Sequence, residues 1–209
     1  MQFRIHITFP TLIFIFFFNG SLAASKNSIF YHPLSAKNEV AFMKVQNAQA
    51  KIDNVYGDFT QTRYMKLLSK PLISSGVFHL SKTDGLQWLQ QKPFKSILMI
   101  TEDKIQQSIE GKQAMVITKK EQPIVFSFTH IFLSIFKGNT EALKQYFDIY
   151  FIECNNNWHL GLKPIDSPLN KAIDSIEIIG EKYVTRILVN EAQGNHMLIQ
   201  FSNISDKQK

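Results

Sequence analysis

The residues able to do polar chemistry are few and scattered. Beyond the N-terminal segment the histidines are His32, His79, His130, His159 and His196, and none stands at ligand spacing from a cysteine or an acidic partner. The single cysteine, Cys154, excludes an intramolecular disulfide and is expected to act as a small apolar strand residue. With no His-x-x-x-His helix, cysteine pair or glycine-rich phosphate loop, neither metal nor cofactor is expected. Asp58, Ser75 and His79 are the one set that could be drawn together as an acyl-transfer triad. Ser75 lacks the Gly-x-Ser-x-Gly elbow, and its neighbours alternate as in an ordinary strand, so no enzyme is expected.

The other chemistry on offer is apolar. From Pro123 to Phe136 the chain is almost uncharged, and Phe128, Phe132 and Phe136 recur at i, i+4 and i+8 with Ile131 and Ile135 beside them. Such a helix face is either core or a wall for an apolar ligand.

The elements around it read in order. Ser35 is expected to cap a helix running to about Ile52, with Val40, Met43, Ala48 and Ile52 as its apolar stripe. Strand periodicity follows. Phe59, Gln61 and Arg63 share one face of the first strand, and Asp58, Thr60 and Thr62 the other. Further strands are predicted at Leu72–Leu80, Leu86–Gln91, Phe94–Thr101, Lys104–Ile109 and Lys112–Thr118. Within the fourth, Ile97 to Ile100 is apolar on both faces, which predicts burial on both sides or cover by a lid. After the Phe-rich segment come a short helix at Thr140–Tyr146, strands at Asp148–Cys154 and Trp158–Lys163, a helical turn ending at Ala172, and strands at Ser175–Ile179, Tyr183–Asn190 and Asn195–Ser202. Strands so regularly spaced predict a curled antiparallel sheet rather than a βαβ fold.

Residues 1–24 have the form of a secretory signal: Arg4, the apolar run Ile5 to Phe18, and small residues before cleavage after Ala23 or Ala24. An uncleaved anchor is the alternative, but the apolar run is short for a bilayer span. The absence of a lipobox cysteine disfavours a lipid anchor. One soluble, monomeric, exported domain is expected at 25–204, with a polar tail at 205–209. The formal charge of +6 comes from scattered lysines without an aromatic-basic ladder, which argues against nucleic acid.

Taken together, the helix, Gly57-Asp58-Phe59-Thr60-Gln61, Ser75-Gly76-Val77-Phe78 and Leu86-Gln87-Trp88 resemble the periplasmic outer-membrane lipoprotein carrier family, LolA. The resemblance spans most of the exported chain. It implies an α+β fold: an incomplete, strongly curved antiparallel β-barrel with helices covering the concave face. It implies a periplasmic carrier that shields the acyl chains of a lipoprotein or related lipid and moves them from inner to outer membrane. The donor would be an inner-membrane transporter and the acceptor an outer-membrane receptor. A non-transporting lipid sensor or scaffold of the envelope is the alternative. Phe59, Phe78, Leu80, Leu86, Trp88 and Leu98 are then expected to line the apolar cavity. Phe128, Ile131, Phe132, Ile135 and Phe136 take the place of the lid. Family members carry an Arg-Pro pair after the second strand, where the Arg helps to hold the lid. Here Lys82-Thr83 stands there, making Lys82 the lid-closure candidate without the planar fork of an Arg.

Overall fold

A computed structural model describes residues 28–112, 115–118, 133–134, 139–155 and 157–208. The expected signal segment 1–24 and the lid residues Phe128, Ile131, Phe132, Ile135 and Phe136 lie outside the described residues. Among those described, a 3-10 turn (Ile29–Tyr31) and helix α1 (Glu39–Gln49) lead into β1 (Asn54–Tyr64), β2 (Leu72–Ser81), β3 (Gly85–Lys92), β4 (Ser96–Ile100), β5 (Lys104–Ile109) and β6 (Met115–Thr118). Then follow α2 (Thr140–Tyr146), β7 (Phe147–Cys154), β8 (Asn157–Pro164), α3 (Leu169–Ala172), β9 (Ile173–Gly180), β10 (Val184–Glu191) and β11 (His196–Ser205).

All eleven strands form one antiparallel sheet in the order β6-β5-β4-β3-β2-β1-β11-β10-β9-β8-β7. Two meanders run outward from a central β1–β11 pair, so the expected open sheet is what forms. Helix α1 bridges the two halves of this sheet. Asn38, before α1, donates its side-chain amide to the Phe151 carbonyl of β7, and the Ala50 carbonyl, after α1, accepts from the Lys82 ammonium beyond β2. Six strand spacings, about 29 Å along the sheet, separate β7 from β2, whereas twelve helical residues rise only about 18 Å. A sheet that bends toward α1 brings both contacts within easy side-chain reach of so short a helix. The core accordingly lies on the inner face, where Phe42, Phe59, Phe78, Phe151, Leu160 and Ile178 belong to a single buried cluster. Of the Phe-rich segment, Leu133 and Ser134 are described; Leu133 is buried in that cluster.

Several expectations are corrected. Helix α1 starts at Glu39 with Asn38 rather than Ser35 at the cap position, because Asn38 ties the entry down, accepting from the Ser35 N–H at 2.8 Å. Its buried face is Phe42, Val45, Gln46 and Gln49, while Val40 and Met43 are exposed. Apolar residues occur on both sides of this helix, and the larger ring decides: Phe42 meets Phe151 edge-on with centroids 5.4 Å apart. In β4 only one face is covered. Leu98 is half-buried, whereas Ile97 and Met99 are exposed, because an apolar run does not say whether its second face finds a partner. Cys154 ends β7 and is exposed rather than packed. Finally, β11 continues three residues past Ser202, and Asp206 of the expected tail pairs with Lys182 at 3.0 Å. Hydrogen bonding to Tyr183 and Asp206 raises the Lys182 pKa, and Lys182 holds the Asp206 carboxyl below its usual value.

Candidate functional site

The inner face of β1–β3 is an aromatic floor built by register. Phe59 lies opposite Gly76 of β2 and opposite Phe201 of β11, and Phe78 lies opposite Trp88. With no side chain at Gly76, Phe59 reaches over β2 to stack on Trp88, centroids 3.6 Å apart at 26°. Strands β1 and β3 are about 10 Å apart, two spacings, so a side chain at position 76 facing inward would stand between the rings. A β-carbon there would in any case fall 2.0 Å from the Leu89 carbonyl oxygen. The Phe78 and Phe201 rings close the group at 4.9 Å, and Trp88 meets Phe201 edge-on at 6.1 Å. Leu80 and Leu86 pair beside it, and Leu98 pairs with Trp88.

Thus Phe59, Phe78, Leu80, Leu86, Trp88 and Leu98 are brought onto one face. They differ in burial: the first two and both leucines at 80 and 86 are buried, while Trp88 and Leu98 are half-buried. Two residues were missed by the sequence reading. Phe201 and Ile199 join the cluster from the last strand. Alternation in that strand marks them as inward, but nothing local says that β11 pairs with β1.

Polarity rises along the inner face of β1. After Phe59 come Gln61 and then Arg63, whose guanidinium donates to the Glu191 carboxylate at 2.6 Å. The Arg63 Nε is buried and has no hydrogen-bond partner among the described residues. The floor therefore runs from aromatic to ionic within four residues.

Lys82 sits at the other end. Its ammonium binds the Ala50 carbonyl and the Asp53 carboxylate, the latter at 2.9 Å, and its N–H donates to the Asp53 carbonyl. It grips the C-terminal end of α1, where a cation is favoured by the exposed carbonyls. Lys82→Ala is expected to cost about 1 kcal/mol, a small value because Asp53 is largely exposed. A urea unfolding series reads it. Outside α1, an open groove of about 1320 Å³ runs past Val40, Met43, Asp53, Trp158 and Lys182. None of the residues expected to line the cavity borders it.

The imagined triad does not assemble. Ser75 and His79 lie four residues apart along β2, about 13 Å. His79 Nε2 instead bonds Asn54 Oδ1 at 3.0 Å, with its ring stacked on Tyr56. Asp58 accepts from the Asn203 side-chain amide at 2.6 Å. Among the described residues no His, Cys, Asp and Glu side chains gather into a metal site, and no helix is long and apolar enough to cross a membrane.

No curated protein sequence matches this chain. Among the solved structures similar to it are three at low identity. A LolA superfamily protein from Nitrosomonas europaea is 8% identical with a TM-score of 0.44, the match covering 79% of this chain and 93% of that one. MucB is 13% identical with a TM-score of 0.49, covering 83% of this chain and 60% of the other. LprF from Mycobacterium bovis is 10% identical with a TM-score of 0.36, covering 85% and 97%. Residues 50–209, from the end of α1 through the whole sheet, match the family of the outer membrane lipoprotein carrier protein LolA. The chain belongs to the LolA family.

Proposed function

We propose that this protein is a periplasmic carrier that shields the acyl chains of a lipoprotein, or a related lipid, and moves them from the inner to the outer membrane. The observation that carries the reading is the aromatic floor of Phe59, Phe78, Trp88 and Phe201 on the inner face of an open sheet. An acyl chain in water is costly. At about 0.8 kcal/mol per methylene, some fifteen carbons amount to about 12 kcal/mol, so transit through an aqueous compartment needs an apolar enclosure. The tails would lie on the floor around Trp88 and Leu98, with the polar end of the cargo toward Gln61 and Arg63. Phe128, Ile131, Phe132, Ile135 and Phe136 would cover it, continuing from Leu133. An inner-membrane transporter would load the carrier and an outer-membrane receptor would unload it. Differential affinity for the three proteins suffices to drive transfer, and no catalysis by this chain is needed.

Mass spectrometry of the protein purified from its own periplasm tests this. Bound acylated lipoprotein or lipid is expected, and its absence would sink the proposal. Phe132→Asp is expected to abolish the bound lipid with the melting curve retained. Global unfolding of that variant would instead make the segment core. The second reading, a lipid-binding sensor or scaffold that transports nothing, draws its support from Lys82, which grips α1 and Asp53 where the family's Arg helps to hold a lid. Crosslinking separates the two: a carrier is caught with both a membrane donor and an acceptor.

A further inference from the structure

Antiparallel order puts the β1–β2, β3–β4 and β5–β6 hairpins at one end of the sheet. Contacts confirm the grouping. Lys95 and Glu110 exchange hydrogen bonds between the second and third hairpins, the Glu110 N–H donating to the Lys95 carbonyl at 2.9 Å and the Lys95 N–H to the Glu110 carboxylate at 2.7 Å. The first hairpin is anchored to the β10–β11 turn at the same end, Lys66 N–H donating to Asn195 Oδ1 at 3.1 Å. These tips are unusually apolar for a surface. Leu67, Leu68, Leu72, Ile73, Phe94 and Ile109 are all exposed, Leu67 at 93%. Between them stand Lys66, Lys70, Lys92, Lys95 and Lys112. The only acidic group in the three tips is Glu110, already engaged with Lys95. Hairpins at the opposite end differ in both respects. Lys82-Thr83-Asp84 and Thr101-Glu102-Asp103 carry three carboxylates against one lysine and no exposed large apolar side chain.

We infer that the three tips form a docking rim for an anionic phospholipid bilayer. Exposed leucines, isoleucines and a phenylalanine would enter the headgroup layer while the lysines meet lipid phosphates, the combination that holds peripheral proteins at an interface. Charge selects this occupant: five lysines around an apolar patch suit an anionic lipid surface better than an apolar protein groove. The rim spans β1 to β6, about 24 Å, and the Arg63 end of the aromatic floor opens toward it. Docking there would bring that end of the floor to the membrane face.

The inference goes beyond the carrier reading and is tested apart from it. Protein from the soluble fraction of cells expressing the full chain is floated with vesicles of phosphatidylglycerol and phosphatidylethanolamine, and separately with phosphatidylcholine vesicles. Flotation with the anionic vesicles is expected, weakened by high salt and at least about tenfold lower on phosphatidylcholine. Leu67→Ser with Leu68→Ser, and Lys66→Gln with Lys70→Gln, are each expected to reduce the floated fraction on the order of tenfold. Their melting curves should match the parent, since these side chains are exposed. Equal flotation on both vesicles, flotation unaltered by both pairs of substitutions, or none at all, as for a rim that takes a protein partner, overturns the inference. Lipid retained by vesicle-free protein is measured separately, so loss of one result leaves the other standing.

Discussion

Phe59→Ala is expected to lower the free energy of unfolding by about 3–5 kcal/mol, a large share of the stability of a domain this size. Phe59 is 2% exposed and touches two neighbouring strands and Trp88. Truncation would remove the stack, uncover Phe201 and leave a hole that Gly76, directly opposite, has no side chain to fill. The reading is a lowered urea midpoint with an unchanged slope. A loss below about 1 kcal/mol would mean that the floor collapses into the gap, and that its geometry is not rigid.

Gly76→Val is expected to be more damaging still, above about 4 kcal/mol, which would leave little or no folded protein in the soluble fraction. Ordinary overpacking costs about 1–3 kcal/mol because side chains shift. Here the obstacle is backbone. A β-carbon at position 76 meets the Leu89 carbonyl oxygen at 2.0 Å and the Gln90 α-carbon at 2.9 Å, so relief requires opening the β2–β3 ladder beside its irregularity at Ser75/Gly76. Ser75→Ala, one residue away and on the outer face, is the control and should fall within about 0.5 kcal/mol of the parent. Soluble, parent-like Gly76→Val protein would show that the ladder can slide there.

Much of the site was legible because period-two alternation is local. Phe59, Gln61 and Arg63 share a face in any strand pairing, as do Phe78 and Leu80, and the turn at Lys82-Thr83-Asp84 is closed by Ser81 Oγ accepting from the N–H groups of residues 83 and 84. Helix α1 buries a different face from the expected one for the opposite reason. Its sequence offers two partly apolar faces, and only the position of Phe151, more than a hundred residues away, selects Phe42 over Met43. The same distance hid Phe201. Lys82 is the lid-closure candidate by analogy with the family; its described partners are a helix end and Asp53, which no spacing along the chain announces.

The sequence by itself determined the strands, their inward faces and the open antiparallel sheet, since alternation and turn residues act over a few positions. Tertiary structure alone decided the rest. The β1–β11 pairing brings the last strand beside the first and completes the aromatic floor with Phe201. The bridge that α1 makes from β7 to the end of β2 joins the two halves of the sheet. The common direction of three hairpins gathers leucines and lysines, unremarkable one by one, into a single rim. These are contacts between residues far apart in the chain, and their energies depend on which surfaces meet, a quantity that no local pattern carries.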